Sequence, residues 1–442
     1  MKQPTLSTHL RAGPVGRSAA TLAIAASLVT FGASSPAGAS RVPKASHSSA
    51  TGVVTYWDRA GFALPPALVK EFNKTHPNLK VEFTPVNTTI EPTKLATAIR
   101  AGTAPDLVGI DDIEIGQFIS EGVMENVTSQ LKSMSAFKSL NKGQLRSVSY
   151  PGGYYGFPEY ADLSVLYWNK TLFKKAGLNP NAAPSNFAEI LADAKKVSAL
   201  GHGTYGFTFA GECPGCENFT MLPDVWATGQ DVVKGSVTHQ VPTVENNAPL
   251  KALLTLYHEL WADKLVPPSD KTDTGTTWGN DFKAGNIGIA PNSYDFATTL
   301  AQAHVKFQWG MTTLPGPDGG YSTFDGGADF GIPKGAKNAA GALEFVNWVL
   351  QKSQQLQFPT YGLTPVRTDI LTPSYKAKYP LDAIALKALA HGNLTVGPAA
   401  TQIYHPLNGA WQAMFDLAVY QGQIAKALKT GQSMYTQEIA SA

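Results

Sequence analysis

The feature that most constrains the fold is a regular alternation of strand-like and helix-like segments early in the chain. Strand-like runs at residues 53–57, 79–86 and 106–110 alternate with helical spacings at 64–75, 91–101 and 112–120. This β-α-β-α-β-α order predicts a parallel sheet with right-handed crossovers. Ligands bind such sheets beyond the carboxyl ends of the strands. Those ends carry Trp57, Asp58 and Arg59 after one strand and Asp111 and Asp112 after another.

The remainder of the chain repeats the alternation less regularly. Helical spacing recurs at residues 186–200, 248–264 and 341–351 and from 411 onward, and strand-like runs occur at 204–209, 286–290 and 307–313. A length of 442 residues accommodates two or three domains. The formal charge of +2 comes without any block of like charge, so we expect no nucleic-acid partner.

The first 39 residues have the organisation of a secretory signal peptide. Lys2, Arg11 and Arg17 precede an apolar run over residues 19–31, and small residues ending in Ala39 follow it. The apolar run is too short to span a bilayer as a helix. Residues 40–51 are polar and rich in Ser and Ala, which predicts a flexible leader. We therefore expect an exported protein.

The only two cysteines, Cys213 and Cys216, form a Cys-Pro-Gly-Cys motif. A CxxC motif can be a redox pair, half of a zinc site or a disulfide. Zinc normally takes four ligands, and the sequence has no second CxxC and no suitably spaced histidine pair. Export to an oxidising compartment favours a short disulfide.

Signatures of common enzyme and metal sites are absent from the sequence. It contains no HExxH, no Walker-type phosphate loop and no GxSxG. One GxGxxG stands at residues 201–206, but it follows a helical segment and precedes a strand, the reverse of a dinucleotide site. We interpret it as a helix end and a turn. The sequence predicts no cofactor and no metal site.

Carboxylates cluster at the predicted ligand edge of the sheet. Asp111, Asp112 and Glu114 can contact a ligand, or Asp111 and Glu114 can form a capping box at the start of a helix. Asp58 has the same two interpretations. Glu159 belongs to a segment that is either a solvated loop or part of a ligand site.

Several tryptophans lie at the edges of predicted elements rather than inside them. These residues are Trp57, Trp226, Trp278 and Trp411. Such a ring can cover the apolar C–H face of a sugar, while carboxylates, amides and arginines bind the hydroxyls. Taken singly, each of them can equally be a structural residue.

Five segments, in order, resemble the extracellular solute-binding proteins of ABC importers, in the carbohydrate-binding group that includes maltose-binding protein. Residues 101–108 (AGTAPDLV) are similar to the family's G-x-x-P-D turn, and residues 156–178 are similar to its crossover between lobes. Residues 282–290 (FKAGNIGIA) are similar to a third family motif. The fourth segment joins LPGP at 314–317 to GGA at 326–328 and the helix through Trp348, and residues 361–367 (YGLTPVR) resemble the family's return segment.

The resemblance implies a two-lobed α/β fold, each lobe a mainly parallel sheet flanked by helices. It places residues 52–158 and 310–352 in the first lobe and residues 159–309 and 353–442 in the second. Three crossovers are expected near Pro158, near Trp309 and over residues 351–362. The lobes are expected to close on ligand about this hinge.

The resemblance also implies a set of ligand-binding residues. Tyr294 stands near a family tryptophan that stacks on sugar, and Arg367 is expected to bind a hydroxyl or an anionic group. The complete set is Trp57, Asp58, Asp111, Asp112, Glu159, Tyr160, Trp226, Trp278, Tyr294, Gly326, Gly327, Arg367 and Trp411.

The expected function is capture of a carbohydrate for an importer permease, by a monomer that performs no bond chemistry. One alternative keeps the fold and binds glycerol 3-phosphate or a glycerophosphodiester, with Arg59 and Arg367 on the phosphate. A second is a secreted glycoside hydrolase with Asp111 and Glu159 as paired acids. A third is a structural surface protein. Because Ser40 follows Ala39 with no cysteine nearby, we expect no lipid anchor.

Overall fold

A computed structural model describes residues 50–60, 64–87 and 90–442. The predicted signal peptide and most of the predicted leader therefore lie outside the described residues. Within the described part of the chain, no helix combines the length and the apolar character that crossing a bilayer requires.

The strands of the described residues are β1 Gly52–Arg59, β2 Leu79–Val86, β3 Leu107–Asp111, β4 Ser149–Tyr150, β5 Gly153–Tyr154, β6 Phe157–Asn169, β7 Tyr205–Phe207, β8 Val233–Ser236, β9 His239–Pro242, β10 Ile287–Ser293, β11 Trp309–Thr312, β12 Leu314–Pro315, β13 Tyr321–Ser322 and β14 Asp325–Gly331.

The α-helices of the described residues are α1 Pro66–Thr75, α2 Glu91–Arg100, α3 Ile115–Ser120, α4 Thr128–Ser133, α5 Lys170–Lys175, α6 Phe187–Ser198, α7 Pro214–Trp226, α8 Ala248–Ala262, α9 Asn280–Ala284, α10 Phe296–Gln302, α11 Ala339–Val349, α12 Lys352–Gln355, α13 Pro373–Lys378, α14 Pro380–Ala388, α15 Ala400–Tyr404, α16 Ala410–Phe415 and α17 Ile424–Ser441.

The predicted alternation over the first part of the chain is confirmed. β1 pairs in parallel with both β2 and β3, as consecutive βαβ units require. The Gly-rich motif at residues 201–206 follows the end of α6 and runs into the start of β7, which confirms a helix end and a turn. Its glycines Gly201 and Gly203 have φ of 69° and 74°, a left-handed conformation that suits glycine.

The main sheet is mixed rather than mainly parallel. Its strand order is β2-β1-β3-β14-β6-β10-β7, with β11 also paired to β6. β14 runs antiparallel to β3 and β6, and β6 runs antiparallel to β10 and β11. The antiparallel strands enter because β14 returns to the first sheet from a distant part of the chain, without a βαβ connection.

The long strand β6 joins two separately packed halves. Its first part pairs with β14, and its last part pairs with β10 and β11. A first apolar cluster, from residues between Val54 and Tyr160 and between Ala328 and Val366, includes Tyr56, Phe72, Phe330 and Phe345. A second cluster includes Phe209, Tyr257, Trp411 and Phe415, and a third includes Tyr167, Phe282 and Phe296.

Apart from Ile113, which packs in the second cluster, the buried apolar residues change from the first cluster to the other two at three places along the chain. The changes fall between Tyr160 and Ala161, between Phe324 and Ala328, and between Val366 and Ile370. The ranges of the lobes stay a prediction. The packing supports a second crossover close to Asp325 rather than near Trp309, because Met311 and Leu314 belong to the second half.

Candidate ligand-binding site

The buried guanidinium of Arg59 contacts residues of β3, β6 and β14 and so joins these strands to β1 within the main sheet. Arg59, the last residue of β1, forms a hydrogen-bonded ion pair with Asp111, the last residue of β3. Its Nη2 donates to the Tyr160 hydroxyl on β6 at 3.1 Å and to the Gly327 carbonyl on β14 at 3.2 Å. The ends of the parallel strands thus meet where the sequence predicted, and the Arg59 side chain joins them. We call Arg59 and these contacts the Arg59 junction.

The charges around Arg59 keep this pair ionised. Burial by itself favours a neutral Arg59, but Tyr160, Asp111 and neighbouring carboxylates outweigh it and raise the pKa of the guanidinium. Burial would also raise the pKa of Asp111, but the positive charges of Arg59 and His405 hold that pKa below its ordinary value. The salt bridge is largely shielded from water, and the surrounding charges keep both Arg59 and Asp111 ionised. We therefore expect it to persist.

Two further acids near Arg59, Glu91 and Asp112, have pKa values above their ordinary range. Burial raises the pKa of Glu91, the first residue of α2, to about 8. Burial, together with the charges of Asp111 and Asp329, raises the pKa of Asp112 well above its ordinary value. Neither Glu91 oxygen, nor Asp112 Oδ2, has a hydrogen-bond partner among the described residues. Protonated carboxyls can donate as well as accept, which suits ligand hydroxyls.

The turn after β3 differs from the predicted capping box. The helix α3 begins at Ile115, and Glu114 at its N-cap makes no side-chain capping hydrogen bond. The Asp111 carboxylate instead accepts from the Ile113 N–H at 3.0 Å and pairs with Arg59. The capping-box interpretation is therefore wrong, because the ion pair and the turn occupy the carboxylate that would cap the helix.

The same turn contacts the second half of the molecule. Glu114 Oε1 lies 3.3 Å from Nδ1 of His405, which directly follows α15. The side chain of Ile113 packs in the second cluster, and its carbonyl lies 3.4 Å from the Thr401 hydroxyl on α15. Carboxylates of the first half and an imidazole of the second half therefore meet across one boundary.

We expect the Glu114–His405 pair to stabilise the protein only when His405 is protonated. Burial lowers the pKa of His405, but hydrogen bonding and charge from Glu114, with the charge of Asp111, outweigh burial and raise it. The stabilisation is then complete below the ordinary histidine pKa of about 6.5 and is lost as pH rises through the folded-state value. His405→Ala should lower the free energy of unfolding by about 1 kcal/mol in acid.

Urea unfolding of the wild type, His405→Ala, Glu114→Gln and the double variant across pH measures this coupling. The coupling energy between the two positions should disappear at alkaline pH. A cost of His405→Ala that stays constant with pH would contradict the assignment.

Asp58 and Glu159 are both fully buried, with 0% of each residue exposed. They approach the same hydroxyl, that of Tyr56, from β1 and β6. These predicted ligand residues are thus brought together, but beneath the Arg59 junction rather than at its surface. Tyr56 has the signal that could have identified it, since it precedes Asp58 by two positions and shares its face of the strand.

The predicted stacking residue Trp57 lies half-buried on the opposite face of β1. The Lys94 ammonium group lies 4.2 Å from the centre of its ring. The ring borders a groove of about 470 Å³ that is lined by Ile90, just before α2, and by Thr93 and Thr97 on α2, among others. A cation–π contact therefore already covers one face of this ring.

The other predicted aromatic residues divide into buried and half-buried positions. Trp226 donates from Nε1 to Asp231 at 3.0 Å and packs on Phe324, and the fully buried Trp411 donates to Glu217 at 2.7 Å. Tyr294 is buried just after β10, and its N–H bonds the Leu163 carbonyl at 2.7 Å. Trp278 lies half-buried just before α9.

The remaining predicted residues have defined structural contacts. Arg367 makes a two-pronged ion pair with Asp369, at 2.9 and 2.7 Å, and donates to the Leu350 carbonyl. The Gly326 carbonyl accepts from Gln144 at 2.7 Å. These contacts do not connect Arg367 to the Arg59 junction.

Cys213 and Cys216 form a disulfide at the start of α7, with Cα atoms 5.2 Å apart. The added β-carbon of a residue at Gly215, between them, would lie 3.8 Å from the His405 ring. The disulfide therefore lies close to the boundary at which Glu114 and His405 meet. In the described part of the chain, no grouping of His, Cys, Asp and Glu side chains could hold a metal ion.

Comparisons with known proteins agree on one family. The model of the bacterial extracellular solute-binding protein family matches residues 57–356. A binding protein of Brucella abortus is 26% identical over 346 residues, which are 78% of this chain and 80% of that protein. The sn-glycerol-3-phosphate-binding periplasmic protein of Agrobacterium fabrum is 25% identical over 313 residues, covering 68% of this chain and 70% of that one.

The fold is also found among solved structures. An ABC transporter solute-binding protein from Thermotoga lettingae, bound with alpha-D-tagatose, matches with a TM-score of 0.76 at 20% sequence identity. The match covers 88% of this chain and 99% of that one. This likeness extends over nearly the whole described molecule and concerns the fold.

Proposed function

Because this chain belongs to the bacterial extracellular solute-binding protein family, we propose that it captures a carbohydrate between two lobes and passes it to an ABC importer permease. The observation that carries the proposal is the meeting of polar groups at the lobe boundary. Arg59, Asp111 and Glu114 lie on one side of it, and His405 lies on the other. In this proposal the protein acts outside the cytoplasm as a monomer.

The chemistry of these groups suits a ligand that carries many hydroxyls. Asp111 and Glu114 supply acceptors, Arg59 supplies donors, and protonated Glu91 supplies both. Each ligand hydroxyl can donate to one group and accept from another, which compensates the loss of water on closure. Micromolar affinity requires about −8 kcal/mol, which several charge-assisted hydrogen bonds can provide after ordering costs.

The structure favours a neutral sugar over a phosphate ester. The phosphate alternative relies on Arg59 and Arg367, but Asp111 already pairs with the first and Asp369 with the second. Asp58, Asp111 and Glu114 also surround Arg59 with carboxyl groups. A phosphate approaching this edge would have to displace a carboxylate and remain close to the others.

A hydrolase would need two acids that reach one glycosidic bond. Of the proposed pair, Glu159 is fully buried and bonded to Tyr56, and the Arg59 charge lowers the pKa of Asp111, which therefore carries no proton for a leaving group. We therefore propose binding without bond cleavage, and expect no turnover of chromogenic glycosides.

A binding screen tests the proposal directly. The mature protein would be tested by thermal shift and titration calorimetry against D-tagatose, maltose, maltotriose and mannobiose, with glycerol 3-phosphate as the anionic competitor. A sugar at a hundredfold excess over its Kd should stabilise the protein by about 2.7 kcal/mol. Stabilisation by glycerol 3-phosphate alone, weakened by salt, would favour the phosphate alternative. No response to any of these compounds would contradict sugar binding.

A further inference from the structure

Two buried carboxyl groups share one tyrosine hydroxyl beneath the Arg59 junction. The Tyr56 hydroxyl oxygen lies 2.5 Å from Asp58 Oδ2 and 2.8 Å from Glu159 Oε1. All three residues have 0% of their surface exposed. A hydroxyl has one proton to donate, so Tyr56 cannot donate to both carboxyl groups at once, and one of them donates to Tyr56 when both contacts are hydrogen bonds.

The other contacts of Asp58 decide which carboxyl group is the donor. Asp58 Oδ1 accepts from the Arg59 N–H at 2.6 Å, and Oδ2 accepts from the Leu64 N–H at 3.2 Å. A proton on Asp58 Oδ2 would compete with the Leu64 N–H for the same oxygen. Asp58 is therefore the ionised acceptor, and the protonated Glu159 donates to Tyr56. Burial raises the pKa of both acids. The nearby Asp58 charge raises that of Glu159 further, well above its ordinary value, whereas hydrogen bonds from Tyr56 and the Arg59 N–H oppose the rise at Asp58, which agrees with this order.

The backbone explains how Glu159 reaches across the sheet. The pairing of β14 with β6 shifts register between Ala328 and Asp329, opposite Glu159. The strands β3 and β14 lie between β1 and β6, and Gly109 on β3 has no side chain. A β-carbon there would lie 2.5 Å from Asp58 Cγ and 2.7 Å from Glu159 Oε2. The bulge and the glycine together leave a passage for the Glu159 side chain.

We propose that Glu159 is a positioning residue that acts on the sugar site through Tyr56 and Asp58 and does not touch the sugar. Glu159 donates to Tyr56, Tyr56 donates to Asp58, and Asp58 accepts from the backbone N–H of Arg59, at the end of β1, and from that of Leu64, shortly before α1. The crossover strand thereby sets the position of Arg59. Two experiments test this inference, one on sugar binding and one on stability. Only the sugar-binding experiment rests on the proposed function.

The sugar-binding experiment compares variants that break or preserve the hydrogen-bond chain. Glu159→Gln keeps a donor toward Tyr56 and should bind maltotriose, D-tagatose and mannobiose within about twofold of the wild type. Tyr56→Phe removes the link and should weaken the same sugars by about tenfold or more. Tyr375→Phe is the matched control, because the Tyr375 hydroxyl also donates to a buried carboxylate, that of Asp382, in the other half. Its sugar affinity should be unchanged. A loss in Glu159→Gln as large as that in Tyr56→Phe would overturn the proposal, since a direct sugar contact predicts it.

The stability experiment needs no sugar. The titratable and charged groups that face Glu159 include Asp58, Tyr56 and Arg59 on β1 and the neighbouring Tyr160 on β6. If native Glu159 keeps its proton while the unfolded chain loses it, Glu159→Gln must gain stability relative to the wild type as pH rises above about 4.3. The ratio of the two unfolding constants should change by about tenfold per pH unit. Folded proteins are generally stable over roughly pH 5 to 8. A ratio of unfolding constants that stays constant over this range would overturn the proposal. Failure of every sugar to bind the wild type would instead reject the proposed function. The stability experiment would then still test the hydrogen-bond chain.

Discussion

Replacing Arg59 by alanine is expected to reduce sugar affinity by about a hundredfold and to lower the free energy of unfolding by about 3 to 5 kcal/mol. The substitution leaves the Asp111 carboxylate without its cation and removes the donors to the Tyr160 hydroxyl and the Gly327 carbonyl. It therefore removes the side-chain contacts that join β1 to β3, β6 and β14 at the point where the ligand is proposed to bind. Titration calorimetry and urea unfolding measure the two effects separately.

Arg367→Ala provides a matched control for this prediction. Arg367 is buried to a similar degree as Arg59, and it also pairs with an aspartate and donates to a backbone carbonyl. Its replacement should destabilise the protein but leave the sugar affinity of the folded fraction unchanged. Equal losses of affinity in both variants would show that the Arg59 effect is general destabilisation, or that Arg367 binds ligand as the family resemblance implies.

Gly327→Ala is expected to destabilise the protein by about 3 kcal/mol. Gly327 has a φ of 147°, and an added β-carbon would lie 2.0 Å from the Tyr160 carbonyl oxygen on the neighbouring strand. Because that contact is to backbone, relief requires β14 to move away from β6. The movement would also displace the Gly327 carbonyl that accepts from Arg59. We therefore expect weaker sugar binding along with a lower urea midpoint.

Gly335→Ala separates steric overlap from backbone strain. Gly335 also has a positive φ, of 87°, but an added β-carbon there meets nothing within 4 Å. Only the left-handed conformation is then unfavourable, at about 1 kcal/mol, and sugar affinity should not change. A Gly327→Ala variant no less stable than Gly335→Ala would contradict the close packing of β14 on β6.

Local sequence patterns are sufficient to predict the ligand edge of the first sheet. Residues that follow consecutive parallel strands must lie at one edge, so the strand pattern alone places Asp58 and Asp111 together. The pattern does not show which carboxylate is accessible. That depends on the side chain directed inward by a strand bulge at Glu159 and on the space left by Gly109.

Aromatic residues at the edges of predicted elements indicate the ligand site less reliably than the strand ends do. Trp226 and Trp411 pack in the second apolar cluster, and the indole N–H of each donates a hydrogen bond to a carboxylate there. An edge position along the chain does not determine exposure, because helices from distant segments cover that edge. His405 has no sequence signal at all, since its partner Glu114 belongs to the other half of the molecule.

Periodicity and motif order, which depend only on neighbouring residues, determined that this chain is an α/β solute-binding protein and that its first strands end at one edge of a sheet. Tertiary structure alone decided which polar groups share a proton, which pair across the lobe boundary and which are enclosed in a core. These outcomes depend on desolvation and on contacts between segments far apart in sequence, and such contacts exist only after the halves have packed.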